Sequence, residues 1–339
     1  MSQKSLENYM RYCFYLAELG KGTVSPNPQV GSILVFKDRI IGEGYHKVYG
    51  GPHAEVNAIH AVHPKDLDLI PKSTLYVSLE PCNHYGKTGP CTDFIIKNKI
   101  EKLVFGAYDP NPKMAGKSIA YLKQQGLEVI GPVLERNGQN RIREFETNIL
   151  YKRPYIILKF AQSADFFIGK TRQTVKISNS YSDLLVHKWR SETDGILVGS
   201  NTIKIDNPLL TTRFWPGKNP VRIVFGRFSA SEKMDFNAFN KSTLSYDLND
   251  LKFESDQNPE TLLEKLIHLG IGTLLVEGGA KTIQYFYKSG FWDEARIITN
   301  TALYLKEGIE APSIQGFLEN SLILDKDVIH YITKTNNLS

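Results

Sequence analysis

Two short segments constrain this chain more than any others: GGPHAEVNAI at 50–59 and EPCNHYGKTGPC at 80–91. In them His53, Cys82 and Cys91 supply one imidazole and two thiolates. Zinc accepts that mixture, and three protein ligands leave a fourth tetrahedral position for water. The fold must therefore bring separate turns to one point, and the two segments fall on successive α/β units. Glu55 follows His53 by two residues at the start of a helix, beside the metal but not a ligand. Two blander readings stand next to this one. An isolated His or Cys is more often core than ligand, and with His84 as a fourth ligand the zinc would be structural.

The joint pattern favours a reactive centre. A metal lowers the pKa of its bound water and a neighbouring Glu carries the proton, which is the division of labour in zinc deaminases. The gap between Cys82 and Cys91 is wider than a Cys-x-x-Cys pair, and His84, Gly86, Lys87 and Thr88 are expected to loop over the pocket. Cys13 lies on the apolar face of the first helix and reads as core.

At 339 residues the chain is too long for one ordinary core, and two domains are expected, 1–150 and 151–339. In the first, helices are expected at Ser5–Gly20, Ala54–Val62, Thr92–Asn98 and Lys117–Gln125. Strands are expected at Val30–Phe36, Ile40–Tyr45, Thr74–Leu79, Leu103–Gly106 and near Val129. This order predicts an α/β layer around one mostly parallel sheet. Pro154 ends the helix that runs to about Tyr151, and a strand begins at Tyr155. The second half repeats an α/β rhythm, with strands at Tyr155–Phe160, Gly195–Val198, Val221–Phe225, Thr273–Val276 and Ala295–Thr299. Its helices are expected at Tyr181–Ser191, Pro259–Leu269 and Lys281–Ser289, and the polar stretch from Ser229 to Pro259 resists assignment.

Three cysteines argue against a disulfide framework and for a reducing compartment. With no apolar signal core and no run of 18 apolar residues, a cytoplasmic location and no membrane partner are expected. The net charge of +5, from 41 basic and 36 acidic side chains, hints at anionic ligands. It lacks the dense basic patch of a nucleic-acid binder, so no nucleic-acid partner is expected.

Several blocks resemble the signatures of one family, the bifunctional riboflavin-biosynthesis RibD proteins, over nearly the whole length. They are VSPNPQVGSILV (24–35), GYHKVYGGPHAEVNAI (44–59), SLEPCNHYGKTGPC (78–91), DPNPKMAGKS (109–118), LKFAQSAD (158–165) and ILVGSNTIKIDNPLLTTR (196–213). The resemblance implies a cytidine-deaminase-like domain followed by a dihydrofolate-reductase-like domain, with zinc and NADPH as cofactors. It implies a small-molecule substrate, a diaminopyrimidinone carrying a phosphoribosylamino group, and a homo-oligomer is expected. Asn27, His46, Lys87, Asp109 and Asn111 match substrate-holding positions of the first half. In the second, Lys159, Asp206 and Glu277 match polar positions around the reacting sugar and nicotinamide. Thr202 looks cofactor-facing, and Leu210 and Arg213 look substrate-facing. Within VEGGAKTIQYF (276–286), Gly278 and Gly279 stand between a strand and a helix. They fit a phosphate approaching the helix N-terminus or a plain tight turn.

The second half also departs from the family pattern. Phe166 replaces a glycine, Lys176 a tryptophan, and Asp183 an arginine expected to face substrate, while Leu305-Lys306-Glu307-Gly308 replaces a Gly-Gly. The expectation is a working reductase with a remodelled pocket; the alternative is a deaminase whose reductase-like half has lost or changed its activity. A nucleic-acid base deaminase and a metal-stabilised binding protein are the readings from outside this family.

Overall fold

The hairpin expected early in the chain is closed by Lys37 and Asp38, with φ of 45° and 63°. This two-residue turn suits the right-handed twist of the strands it joins. In the computed structural model, residues 3–85, 89–171, 174–241, 244–251 and 258–334 are described. The chain divides into two compact units, 1–151 and 152–339.

The first unit runs α1 (Gln3–Glu18), β1 (Gly31–Phe36), β2 (Arg39–Tyr45), α2 (Ala54–His60), β3 (Thr74–Val77), α3 (Cys91–Lys97), β4 (Lys102–Phe105), α4 (Lys117–Gln124), β5 (Glu128–Ile130) and α5 (Glu135–Tyr151). A 3-10 segment, Pro64–Lys72, precedes β3 and was not expected. The sheet order is β2-β1-β3-β4-β5. The expectation of a mostly parallel sheet needs correction. β1 lies antiparallel to both β2 and β3, and only β3, β4 and β5 are parallel. A tight hairpin can only make antiparallel neighbours, whereas the later strands are joined through helices.

Alternation along the strands sorts the core into two layers. Ile33, Val35, Tyr76 and Val104 pack with Met10, Cys13 and Phe14 of α1. Leu34, Leu75, Val77, Leu103 and Phe105 face the other way, onto Ile59 of α2, Ile95 of α3 and Leu122 of α4. Cys13 is thus a core residue, as expected.

The second unit runs β6 (Tyr155–Ser163), β7 (Phe167–Gly169), α6 (Ser180–Glu192), β8 (Gly195–Gly199), α7 (Ser200–Asp206), β9 (Val221–Phe225), α8 (Ala230–Asp235), β10 (Ser245–Asp247), α9 (Pro259–His268), β11 (Thr273–Glu277), α10 (Ala280–Lys288), β12 (Glu294–Asn300), β13 (Ile309–Glu310), β14 (Phe317–Leu324) and β15 (Asp327–Thr333). Eight strands form one sheet in the order β10-β9-β8-β11-β6-β12-β15-β14. The ladders from β10 to β12 are parallel, and β15 and β14 close that side as an antiparallel hairpin. The unassigned stretch after Ser229 holds α8, a 3-10 turn at Asn237–Phe239 and β10.

Parallel strands align their carboxyl ends. β8 and β11 are neighbours, and each runs within a few residues into a helix, α7 and α10. That edge is where open α/β sheets bind ligands. Among the described residues no helix is long and apolar enough to cross a membrane.

Candidate functional site

In the first unit the loops after β3 and before α2 converge. His53 is the residue capping α2, and Cys91 is the first residue of α3. Cys82 sits in the loop after β3, ahead of the helix that begins at Cys91. His53 Nδ1 lies 3.2 Å from Cys91 Sγ and 3.4 Å from Cys82 Sγ. All three donor atoms fall within 4.8 Å of one another. Bond lengths of about 2.0 and 2.3 Å at tetrahedral angles put zinc ligands about 3.5 Å apart, so one imidazole and two sulfurs here fit the ion. His84 is exposed and outside the cluster, which leaves three ligands among the described residues.

Each sulfur has a defined environment. Cys82 Sγ accepts the Cys91 N–H at 3.3 Å. The Cys91 thiol, against the opposing effect of burial, and then His53 hold the Cys82 thiol well below its usual range. The same contact, together with burial, pushes Cys91 up. One thiolate thus stands ready, and a bound cation displaces the remaining proton. Glu55 is 3% exposed. Burial first, and then the Cys82 charge, push its carboxyl up to about 7, the range in which a carboxyl can both take and give a proton at neutral pH.

Asn27 and His46 join this centre. His46 Nδ1 lies 3.1 Å from the Pro52 carbonyl, which can only accept, so that nitrogen carries the proton. Its Nε2 then accepts from Asn27 Nδ2 at 3.2 Å. The His46 ring packs edge-on to His53, with centroids 5.3 Å apart. Burial lowers the His46 pKa and keeps the ring neutral. Asp109 and Asn111 follow β4, and Asp109 Oδ1 accepts the Asn111 N–H at 2.8 Å. Burial raises the Asp109 pKa, and His84 and Cys82 are among the charges it feels. Lys87 lies outside the described residues.

In the second unit Lys159 of β6 and Glu277 of β11 are register partners, with Nζ 3.6 Å from Oε2. Arg190 of α6, which the sequence reading missed, holds the same carboxylate through two bonds of 2.9 Å. Burial works to raise the Glu277 pKa, but Arg190 and then Lys159 outweigh it and hold it at about 2. His187, one turn before Arg190, packs on Phe214 at 4.7 Å, and its Nδ1 is buried without a hydrogen-bond partner among the described residues.

Two glycine turns interlock beside this cluster. A Cβ on Gly278, whose φ is +130°, would stand 3.0 Å from Thr202 Oγ1; one on Gly199 would stand 2.4 Å from Thr282 Oγ1. Thr202, Gly278 and Gly279 are therefore together, at a turn whose bare backbone lets a phosphate come close. This cradle fits a dinucleotide. Asp206, by contrast, is exposed at the far end of α7 and accepts from Thr174 Oγ1 at 3.1 Å. Leu210, at φ +54°, buries its side chain with Ile196, Val198 and Phe228, so only its main chain is left to meet a ligand. Arg213 lies exposed over the Phe214 ring.

The departures have structural answers. Lys176 and Asp183 form an ion pair at 2.8 Å, so Asp183 does not present a bare charge. Phe166 takes φ +63° at the exposed turn between β6 and β7. Asp165 ties that turn to the Leu305 and Lys306 amides, at 3.1 and 2.7 Å.

The comparisons with known proteins match both halves of the chain. The family model described as the cytidine and deoxycytidylate deaminase zinc-binding region matches residues 3–107, and the RibD C-terminal domain matches residues 154–303. The riboflavin biosynthesis protein RibD of Aquifex aeolicus is 38% identical over 305 residues, 85% of this chain and 84% of its own. That of Bacillus amyloliquefaciens is 34% identical, covering 92% of this chain and 89% of its own. A solved structure from Thermotoga maritima, described as a diaminohydroxyphosphoribosylaminopyrimidine deaminase/5-amino-6-(5-phosphoribosylamino)uracil reductase, superposes with a TM-score of 0.87 at 33% identity, covering 98% of this chain and 99% of that one. With both halves matched and most of each relative's length covered, the chain belongs to the RibD family of riboflavin biosynthesis proteins, a deaminase half joined to a reductase half.

Proposed function

We propose that the first half hydrolytically deaminates 2,5-diamino-6-(5-phosphoribosylamino)pyrimidin-4-one and that the second half reduces the ribosyl side chain of the product to ribityl with NADPH. The observation that best supports this is a buried Glu55 beside a three-ligand metal set, in a chain that also carries the matched reductase half.

His53, Cys82 and Cys91 hold zinc, which supplies Lewis-acid activation of water when bound. Glu55 takes the proton of the attacking water and passes it to the departing amine. A C–O bond forms, the C–N bond breaks, and ammonia leaves. Asn27, with its Nδ2 committed to His46, keeps Oδ1 to accept from the ring. Asp109 and Asn111 take the other polar edge, and Lys87 the phosphate.

NADPH, when bound, supplies the hydride. Thr202, Gly278 and Gly279 would hold its phosphates, and Asp206 would serve its nicotinamide side. Reduction at the anomeric carbon would break its bond to the ring oxygen, and that oxygen would need a proton from the protein. Glu277, with its pKa at about 2, carries none at neutral pH. We assign the proton to Lys159, with Glu277 and Arg190 fixing it. Arg213 contacts the substrate phosphate in bidentate fashion, and Leu210 contributes its main chain.

The test is to supply the purified protein with the deaminated intermediate and follow NADPH oxidation, and separately to follow ammonia release from the diamino substrate. Steady turnover in both supports the bifunctional reading. Ammonia release without NADPH oxidation would leave a deaminase alone.

A further inference from the structure

Glu80 lies in the short connection from β3 to Cys82, is 5% exposed, and has no cation among its hydrogen-bond partners in the described residues. Its carboxylate is filled instead by one loop. Oε2 accepts the Asp109 N–H at 3.2 Å and the Gly116 N–H at 2.9 Å. Oε1 accepts the Ser118 N–H at 3.2 Å and the Ser118 hydroxyl at 2.5 Å. Its own N–H donates to the Ala107 carbonyl at 2.8 Å. One residue therefore ties the segment leading to a metal ligand to both ends of the loop from Asp109 to Ser118. Asp109 Oδ1 in turn holds the Asn111 N–H at 2.8 Å.

A buried carboxylate without a counter-cation is costly unless every lone pair finds a donor. Here four donors converge on two oxygens. A neutral or apolar residue would fill the space, but it would leave backbone N–H groups unpaired and the loop free to shift. Fully satisfied buried networks fix one geometry.

We infer that Glu80 is a positioning residue of the deaminase centre, holding Asp109 and Asn111 in register with Cys82 so that ring-binding side chains and metal ligands move as one body. This rests on the assignment of Asp109 and Asn111 to the substrate. Glutamine cannot replace it, because its NH2 would face N–H donors.

The test uses the full-length, zinc-loaded chain with Glu80→Gln, and with Ser118→Ala as a milder variant that removes only the hydroxyl and keeps all three main-chain donors. Deamination kinetics, zinc content and amide hydrogen exchange are read together. For Glu80→Gln we expect KM for the diamino substrate to rise about tenfold or more while kcat falls less. Zinc content should stay at one per chain, and exchange at Asp109, Gly116 and Ser118 should quicken. Ser118→Ala should move the same quantities in the same direction by about two- to fivefold, which keeps the test open if Glu80→Gln does not fold. Unchanged exchange at those amides overturns the inference, whatever the substrate proves to be. Faster exchange with an unchanged KM in an active enzyme overturns the positioning role. A wild-type chain that releases no ammonia counts against the substrate assignment instead, and the exchange measurement still decides whether Glu80 holds the loop.

Discussion

Arg190 grips Glu277 through two parallel bonds, Nε to Oε1 and Nη2 to Oε2, each 2.9 Å long. Lys159 shares the same carboxylate. Removing the anion leaves two cations facing each other in a buried site, a change that typically costs about 3–5 kcal/mol. We expect Glu277→Gln to lower the unfolding free energy of the second unit by that order, read from denaturant titration, and to abolish most NADPH oxidation, while ammonia release persists. A loss of stability under about 1 kcal/mol would show that the cluster is solvated and the pairing weak.

The same pairing makes a pH signature. Burial opposes ionisation of Glu277, but Arg190 and Lys159 outweigh it and depress its pKa from 4.5 to about 2. A carboxylate depressed on folding contributes its full stabilisation above its unfolded pKa and loses it as pH falls through the folded value. Stability of the second unit should therefore decline between about pH 4.5 and pH 2. Glu277→Gln should flatten that part of the curve, and urea titrations at several pH values read the difference directly.

Lys176 and Asp183 pair at 2.8 Å although the lysine side chain is 69% exposed. An ion pair this exposed contributes about 1 kcal/mol or less to stability, so its effect belongs to the local field. With Lys176→Ala, Asp183 loses its ion-pair partner and keeps only the Ser178 hydroxyl at 2.8 Å on its Oδ1, and KM for the phosphorylated intermediate should rise several-fold. Adding Asp183→Ala should bring it back. Equal KM values in the single and double variants would mean that the pair lies outside the substrate's field.

The metal set could be read from the sequence because its chemistry sits in contiguous motifs: His53 and Glu55 share one helix start, and Cys82 and Cys91 one loop. Arg190 could not. Its partner lies 87 residues away, and on an amphipathic helix an arginine reads as a surface charge. Glu80 carries no signal of its own in the sequence, since its meaning depends on amides brought in from Asp109 to Ser118 after β4. Leu210 shows the opposite limit: a loop motif does not reveal which way a side chain turns, and here it packs into the core with Ile196, Val198 and Phe228. The hairpin of β14 and β15 escaped because β14 is a largely exposed edge strand without clean alternation.

At the cofactor turn, Gly278 combines φ +130° with a 3.0 Å approach to Thr202 Oγ1. An alanine there is strained by its backbone as well as by its neighbour. We expect Gly278→Ala to weaken NADPH binding at least tenfold, read by quenching of protein fluorescence, with deamination unchanged. Retained affinity would move the phosphates away from this turn.

Glu55 separates a working deaminase from a metal-stabilised fold. It is buried beside Cys82 and Cys91 and is held near neutrality, at about 7, but it is not one of the metal-binding set. A structural zinc has no use for such a group, whereas a general acid–base contributes about 10²–10⁴-fold to a rate. Glu55→Gln keeps the shape and removes the proton carrier. We expect zinc content, measured by elemental analysis, to remain at the wild-type level, and ammonia release to fall by at least about 10²-fold. NADPH oxidation with the deaminated intermediate should not change, because Glu55 belongs to the deaminase centre. Zinc lost together with activity would instead make Glu55 part of the metal's support, and full activity would assign the proton to another group.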